Sequence, residues 1–384
     1  MKTLRWLLLA FGSATLPMAC SNQQSGAEAG RPDPAVRVIA RGTEYPDLTA
    51  LAALLAAKRV VFIGEVHDRY DHHLNQTAII QQLYQQDPRL TIVLEMFPQP
   101  SQPYLDAYVA GELDEQAMLA KTGYFEGWGL DYRLYRPILQ YAREQGIPLL
   151  ALNVPRAIVR KVGKSGLGSL TEEEGVWAPA FIDKSDQGYR ERLEAVYRAH
   201  EPIDSGKFEY FLEAQLLWDE AMAERAARYL VEHPDRRLAV LAGNGHFAYG
   251  SGIPQRLQRR TPAAAAIVLQ VDEVGEYQEA ADFLVVSADT PLKPAGRLGV
   301  EMEEARGSGL RIKSVMPGSA AEQAGVRAQD YLAAIGGRSI NSLQDVRLAL
   351  LDKAPGESVE VKVRRGGDGD PPQALNLEVI LQEQ

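Results

Sequence analysis

The sequence predicts an α/β protein in which helices flank a mostly parallel sheet, followed by a small α+β domain. Short apolar runs alternate with longer amphipathic stretches as far as residue 287, and this alternation is typical of parallel strands joined by crossover helices. A linker containing Pro and Gly follows at residues 288–296, and after it come short strands, Gly-containing turns and one clear helix. We therefore expect one domain at residues 36–287 and a second at 297–384.

The N-terminus has the composition of an export signal at residues 1–20. Lys2 and Arg5 precede an apolar stretch, and Cys20 follows a small residue. This arrangement resembles the lipobox of bacterial lipoproteins, which implies a lipid on Cys20 and a place in the cell envelope. The residue after Cys20 is not Asp, which favours the outer membrane. The polar residues 21–35 predict a flexible tether. A simple secretory signal with an incidental cysteine is the alternative.

The overall composition argues against several classes of function. A net charge of −10 disfavours a nucleic-acid partner, which would require a basic surface. Cys20 is the single cysteine, so disulfides within one chain are excluded. Thiol catalysis is excluded because this cysteine belongs to the predicted lipidation site. The Gly-x-Ser-x-Gly, Gly-x-Gly-x-x-Gly and Walker sequences are absent from the chain.

Apolar periodicity predicts the elements of the first domain. The helix that follows the first central strand carries His72 and His73, and a long helix carries Gln215 and Asp219 one turn apart. In chain order we expect a helix at 48–55, a strand from Val60, a strand at 91–94, helices from about 101 to 121, a helix ending at Gly146, a strand at 148–152, a helix at about 207–232, and strands at 238–241, 265–271 and 283–286.

Polar side chains follow four of the predicted strands. The carboxyl ends of parallel strands meet at one edge of a sheet, where ligands usually bind, so we expect these side chains to line one cleft. Two His and two Glu at one edge suit either a divalent metal such as zinc or acid–base chemistry. The residues in question are Glu65 and His67 after the first strand, Glu95 and Asn153 after the next two, and Asn244 and His246 after the fourth.

Several segments of the first domain resemble the ChaN family of haem-binding, iron-regulated bacterial lipoproteins, which is grouped with TIKI/TraB and erythromycin-esterase-like proteins. The segments occur in the order of the family's motifs and span nearly all of residues 36–285. They are Ile63-Gly64-Glu65-Val66-His67-Asp68 with His72-His73, Leu94-Glu95-Met96-Phe97, Gln215 to Met222, Gly243-Asn244-Gly245-His246, and Gly252-Ile253-Pro254.

The ChaN resemblance implies haem binding by a dimer that holds two haems face to face, with a Tyr of one subunit on the iron and a His of the other nearby. An anionic Tyr ligand is favoured by neighbouring Arg. We expect residues 131–136 to be helical, with Tyr132 and Tyr135 on one face; packing of these aromatics over the sheet is the alternative. The candidate haem contacts are His67, His72, His73, Tyr132, Arg133, Tyr135, Arg136 and His246, supported by Asn153, Gln215, Asp219 and Asn244.

The second domain resembles a PDZ domain. Its motifs are Arg297-Leu298-Gly299-Val300, the stretch Val315 to Gly325, and Asp330 to Gly337, with a helix predicted at 343–351. PDZ domains hold the carboxyl terminus of a peptide by adding it to a sheet edge. The resemblance implies that Leu298, Gly299, Val300, Glu301 and Met302 form the peptide site. A PDZ fold that serves only as a spacer is the alternative.

Two functions follow from these observations. The first is a membrane-tethered haem-binding lipoprotein in haem or iron acquisition, whose PDZ domain recruits a peptide or protein. The second is a hydrolase that uses Glu65, His67, Glu95 and His246, with or without a metal, because carboxylates and imidazoles are suited to activating water. We expect a binding protein rather than an enzyme.

Overall fold

A computed structural model describes residues 36–199, 205–305, 309–366 and 373–383. The predicted signal peptide, Cys20 and the predicted tether lie outside the described residues. The described chain forms two compact units. The first contains the residues up to Gly111 together with Leu134–Pro291, and the second contains Glu112–Arg133 together with the residues from Leu292 onward.

The first unit is built on a mixed sheet whose eight described strands run in the order β2-β1-β8-β7-β3-β6-β4-β5. Neighbouring strands from β8 to β5 are parallel, whereas β1 pairs antiparallel with β2 and β8. The predicted mostly parallel sheet is confirmed, and the short β1–β2 hairpin is an addition to it. The strands are β1 (Arg37–Ala40), β2 (Thr43–Tyr45), β3 (Val60–Glu65), β4 (Leu90–Pro98), β5 (Leu149–Asn153), β6 (Arg237–Gly243), β7 (Ala265–Val271) and β8 (Phe283–Val286).

The central strands are apolar because helices cover both faces of the sheet. Every residue of β3 and β6 is buried, which explains why their sequences are continuous apolar runs rather than alternating ones. Phe62 and Val240 belong to the main core cluster, and the ring of Phe62 packs 5.2 Å from that of Phe247. The polar residues therefore collect where the strands end.

The helices of the first unit are α1 (Leu48–Leu55), α2 (Tyr70–Gln86), α3 (Gln102–Val109), α6 (Arg136–Gln145), α7 (Arg156–Ser165), α8 (Glu172–Gly175), α9 (Gln187–Arg198), α10 (Ser205–Glu232) and α11 (Ile253–Arg260). In the described part of the chain, none of the helices combines the length and apolar character that a bilayer crossing needs.

The continuous helix expected over residues 131–136 was wrong. Tyr132–Leu134 forms a short 3₁₀ turn, and α6 begins only at Arg136, with Tyr135 at its N-cap. Pro137 occupies the first turn of α6, a position that proline favours because its missing N–H would have no partner there. The aromatic residues therefore lie on a turn before the helix and not along one helical face.

The second unit contains a sheet in which the described strands run in the order β14-β13-β11-β10-β9, with β12 paired to β11. All its pairings are antiparallel. The predicted small α+β domain is confirmed, and its helix ends two residues earlier than expected. The elements are β9 (Val300–Ala305), β10 (Gly309–Val315), β11 (Tyr331–Ile335), β12 (Arg338–Ser339), β13 (Ser358–Arg365), β14 (Gln373–Ile380), α12 (Ala320–Gln323) and α13 (Leu343–Ala349).

A helical hairpin from the middle of the chain also belongs to the second unit. It consists of α4 (Glu115–Thr122) and α5 (Tyr124–Gly127), separated by Gly123 at φ +63°. A left-handed residue of this kind ends a helix with little strain when it is Gly. Nothing in the residue pattern predicted that this hairpin would pack against α13.

Candidate functional site

Glu65 is the centre of a hydrogen-bonded cluster at the carboxyl end of β3. One of its oxygens accepts hydrogen bonds from Nδ1 of His67 at 2.8 Å and from the hydroxyl of Tyr135 at 2.7 Å. The other accepts from Nε2 of Gln76 at 2.8 Å and lies 3.4 Å from Nδ1 of His73. Glu65 is only 1% exposed, so its charge is stabilised by these neighbours and not by water.

A second cluster surrounds His246 at the end of β6, the strand beside β3. Nδ1 of His246 lies 2.5 Å from Oδ1 of Asp219, and its Nε2 lies 3.3 Å from Oε1 of Glu95. The other Glu95 oxygen accepts the backbone N–H of Gly243 at 2.8 Å. The hydroxyl of Tyr189 donates to the second oxygen of Asp219. His246 is thus held between two carboxylates.

The charges of the Glu65 cluster balance one another. Burial raises the pKa of Glu65, but the charge of His73 and the hydrogen bonds from His67 and His73 outweigh it, so the pKa lies well below the ordinary value. Burial lowers the pKa of His67 and His73, but other groups together raise both above the ordinary value. They are Glu65 and Glu95 at His67, and Glu65 with hydrogen bonds to His67 and Gln76 at His73. The ionised Glu65 carboxylate therefore lies between two imidazoles whose protonated forms it stabilises.

The same balance holds around His246. Burial lowers its pKa, but the charges of Glu95 and Asp219 raise it to about 10. Burial raises the pKa of Glu95, and the attraction of His246 brings it below the ordinary value. Burial and the charge of Asp219 raise the pKa of Tyr189 well above its usual range. At neutral pH His246 is therefore an imidazolium.

His72 differs from His67, His73 and His246 because its pKa lies below the ordinary value, whereas theirs lie above it. Its Nδ1 accepts the backbone N–H of Val66 at 3.0 Å, which an imidazolium could not do. Burial lowers the pKa of His72 to about 4, despite the nearby charge of Asp71. Its role in this structure is to fix the turn between β3 and α2.

Two glycines allow the polar groups to approach the strands. A Cβ on Gly243 would lie 2.9 Å from Cε1 of His67, so the imidazole occupies the space that a side chain would fill. A Cβ on Gly64 would lie 2.0 Å from Oδ1 of Asn244. Both contacts require the absence of a side chain.

Four residues were predicted from the sequence to support the site, and each of them lies in a different environment. Asp219 contacts His246, as described above. Asn153 donates to the backbone oxygen of Glu95 at 3.0 Å and accepts the N–H of Val154, so it holds the end of β4 in place. Asn244 donates to the backbone oxygen of Gln270 at 2.6 Å. Gln215 is buried one turn before Asp219 on α10.

Three features of the site were not predicted from the sequence. They are Gln76, Tyr189 and the hydrogen bond between Tyr135 and Glu65. Gln76 lies on α2 four residues after His72 and three after His73, so its helical spacing was a usable signal. Tyr189 lies on α9 in a segment without any recognisable motif, and nothing in the sequence pointed to it.

In this arrangement, most of the candidate haem contacts are poorly placed to bind the iron of a haem. Tyr132, Tyr135, His72 and His73 have no exposed surface, and Tyr135 and His73 are engaged with Glu65. The side chain of His67, in contrast, is 19% exposed, so it fits a ligand approaching from solvent. Two of the remaining candidates are Arg133, which pairs with Asp131 at 2.6 Å, and Arg136, which is half-buried at the start of α6.

The strand-end carboxylates and imidazoles form ion pairs and not a metal cage. Across the described ranges, no group of three or more His, Cys, Asp or Glu residues is arranged to hold a metal ion. Both nitrogens of His246 face carboxylates, and Nδ1 of His67 is bonded to Glu65. The arrangement of Glu65, His67, Glu95 and His246 therefore gives the zinc alternative no support.

A family model described as haem-binding uptake, Tiki superfamily, ChaN matches residues 51–257. The match spans more than half of the chain and includes all six strand-end residues. The chain belongs to the ChaN family. A PDZ domain model matches residues 296–378, so this ChaN protein carries a C-terminal PDZ domain.

The comparison with one solved structure agrees in fold with this family assignment. A solved structure described as cofacial heme binding to ChaN of Campylobacter jejuni shares 16% identity and a TM-score of 0.55, covering 66% of this chain and 98% of that one; at this identity it shows the fold. RETICULATA-RELATED 5 of Arabidopsis thaliana, a chloroplast protein, is 25% identical over 256 residues, or 61% of this chain and 34% of its own length. The periplasmic endoprotease DegQ of Escherichia coli K12 is 26% identical over 144 residues, which cover 37% of this chain and 28% of the length of DegQ. The matches span about a third of these two curated relatives.

Proposed function

We propose that this protein binds haem and takes part in haem or iron acquisition at the cell envelope. The observation that carries the proposal is the ChaN family match over residues 51–257. The fold shared with the Campylobacter jejuni protein supports it. Haem would supply an iron centre that the chain's own residues bind and orient.

His67 is the best placed of the candidate residues to meet a haem. Its imidazole is partly exposed at the end of β3, and Glu65 fixes the orientation of the ring through Nδ1. Orientation of a ring by a carboxylate on its second nitrogen is the usual arrangement of metal-binding histidines. A second copy of the chain would provide the other half of a haem-linked dimer.

The envelope location rests on the sequence around Cys20. A lipid on this cysteine would hold the protein on a membrane, with residues 21–35 as a tether and the outer membrane as the expected site. The net negative charge of the chain disfavours a nucleic-acid partner.

The PDZ domain is proposed to recruit a peptide or protein through a free carboxyl terminus. β9 pairs with β10 on one side, and among the described strands it is the last in its sheet, so its other edge can accept a peptide. Gly299, at φ +76°, turns the chain just before β9, where backbone N–H groups would meet a carboxylate. Val300 and Met302 pack against the PDZ core with Leu350 and would face the peptide's last side chain.

A haemin titration tests the haem proposal. Protein lacking residues 1–20 would be titrated with haemin while its absorption spectrum and metal content are recorded. We expect saturable haem uptake, and we expect Tyr132→Phe and Tyr135→Phe to retain the wild-type spectrum because both residues are buried. Failure of the protein to take up haemin would contradict the haem proposal. Loss of the wild-type spectrum in either variant would contradict the expectation that neither tyrosine contacts the haem.

The paired imidazoles and carboxylates favour a second function, acid–base hydrolysis. Glu65 orients His67 at the exposed rim, where the imidazole could take a proton from water, and the His246 imidazolium offers a positive charge on the neighbouring strand. A panel of chromogenic esters tests this function. Turnover that disappears in His67→Ala would support it, and the absence of turnover across the panel would argue against it.

A further inference from the structure

The start of β9 determines the direction in which a peptide would lie along this edge of the PDZ sheet. The backbone oxygen of Gly299 accepts the N–H of Met316 at 3.0 Å, so the turn before β9 is held in place. A peptide whose terminal carboxylate is bound at this turn has its last residue at the first residue of β9. It therefore runs antiparallel to β9. This step rests on the peptide binding proposed above for the PDZ domain.

The antiparallel direction gives each peptide residue a neighbour on β9. With the last residue opposite Val300, the third residue from the end lies opposite Met302 and the fifth lies opposite Glu304. Side chains alternate along a strand, so these three β9 side chains share one face. Residues directly opposite each other in an antiparallel pair have Cβ atoms about 4.5–5.5 Å apart, which is close enough for their side chains to interact.

The shared face of β9 changes from apolar to acidic along the strand. Val300 and Met302 are half-buried and pack against the PDZ core. Glu304 is exposed at the far end of the same face, and its β10 partner Leu310 belongs to the core. A peptide that complements this face has apolar residues near its end and a positive charge further back.

The two carboxylates on the opposite face of β9 already have partners within the domain. Glu301 accepts a hydrogen bond from Nζ of Lys313 at 2.6 Å. Glu303 accepts one from Nε of Arg311 at 2.8 Å. Among the residues that the structure describes, Glu304 takes part in no such pair, in contrast to these two. Glu304 is therefore the carboxylate of β9 whose charge is available to a ligand.

We propose that the PDZ domain prefers peptide carboxyl termini that carry Lys or Arg at the fifth position from the end. Glu304 supplies the opposite charge, because a pair of opposite charges across antiparallel strands is favourable and a pair of like charges is unfavourable. The second and fourth positions from the end lie beside Glu301 and Glu303. These positions carry no such requirement because both carboxylates are already paired.

Titration of two labelled decapeptides tests the preference. Both have a free carboxylate and Val at the last and third-from-last positions, and they differ only at the fifth position from the end, which is Lys or Glu. The protein from residue 21 to the end should bind the Lys peptide about threefold more tightly or more, as expected for a cross-strand charge pair. Glu304→Lys should reverse the order of the two affinities.

Two controls separate a local contact from the general attraction of a negatively charged protein. A third peptide has the lysine at the fourth position from the end, beside Glu303, and therefore the same net charge as the Lys peptide. It should bind more weakly than the Lys peptide. Glu360→Lys makes the same change of charge at an exposed residue of β13, and this variant should keep the wild-type preference.

The outcomes distinguish the charge preference from peptide binding itself. Equal wild-type affinities for the Lys and Glu peptides, or the same order of affinities in Glu304→Lys as in the wild type, would overturn the preference and leave the proposed PDZ function in place. Equal affinities for the two lysine positions would also overturn it, because the contact would then not be local. Failure of every peptide to bind the wild type would contradict both the preference and the proposed PDZ function.

Discussion

Nδ1 of His246 lies 2.5 Å from Oδ1 of Asp219, and both side chains are almost completely buried. The pair joins the long helix α10 to the end of β6, and Glu95 closes the other side of the imidazole. Removing one partner from a buried pair leaves an uncompensated charge, which costs more than the pair itself contributes.

Asp219→Ala should therefore reduce the free energy of unfolding by about 3–5 kcal/mol. The variant leaves the His246 imidazolium with one carboxylate and removes the acceptor of the Tyr189 hydroxyl. Urea unfolding followed by circular dichroism measures the change. Glu224→Ala, an exposed carboxylate on the same helix, is the matched control, and equal stability of the two variants would contradict a buried ion pair.

The lowered pKa of His72 predicts that the protein loses stability in mild acid. Its pKa is about 4 in the folded protein and 6.5 in the unfolded chain, so the unfolded chain binds more protons between these values. Stability is fully present above pH 6.5 and falls as the pH drops to about 4, by roughly 3 kcal/mol. His72→Asn retains an acceptor for the Val66 N–H but cannot titrate. Its free energy of unfolding should therefore decline less than that of the wild type over this pH range.

The acid dependence is measured as urea midpoints from pH 7 to pH 4. His233→Asn, a partly exposed histidine at the end of α10, serves as the control and should decline as the wild type does. If His72→Asn lost stability as steeply as the wild type, His72 would not be the group responsible.

Gly64→Ala should destabilise the first domain by about 1–3 kcal/mol, as overpacking in a core commonly does. The new methyl group would lie 2.0 Å from Oδ1 of Asn244, and Asn244 is itself held by Gln270. Gly168→Ala, where no atom lies within 4 Å of the added carbon, is the control for thermal unfolding. In an Asn244→Ala background the cost of Gly64→Ala should shrink, and full additivity of the two changes would refute this contact.

Lipidation of Cys20 gives a prediction about cellular location. Wild-type protein expressed in a Gram-negative host should incorporate labelled palmitate and sediment with the outer membrane. Cys20→Ala should lose both properties because the acceptor thiol is absent. Soluble wild-type protein without the label would favour the simple secretory signal.

The sequence predicted the sheet and the meeting of its polar ends because both depend on local patterns. Continuous apolar runs identify buried strands, and parallel strands bring their carboxyl ends together, so the sequence alone groups Glu65, Glu95 and His246. Their pairing could not be predicted in this way. Which carboxylate meets which imidazole depends on the strand order β3-β6-β4.

The aromatic segment shows the limit of reasoning from spacing. Tyr132 and Tyr135 are three residues apart, which predicted one helical face, but Pro137 sets the start of α6 after them. The α4–α5 hairpin is a second example, since its hydrogen bonds with Arg338 of β12 and Gln344 of α13 join residues more than 200 positions apart. Pro137 is a local signal that the spacing rule overlooks, whereas tertiary packing determines the position of the hairpin.

The central claim is that ligands reach the chain at the end of β3, where His67 is partly exposed. Its most direct test is the haemin dissociation constant of His67→Ala, compared with His233→Ala as a histidine outside the cluster. We expect binding about tenfold weaker or more in His67→Ala, the loss usual when a metal-site contact is removed, and wild-type binding in His233→Ala. Equal haemin affinity of the wild type and His67→Ala would contradict the claim.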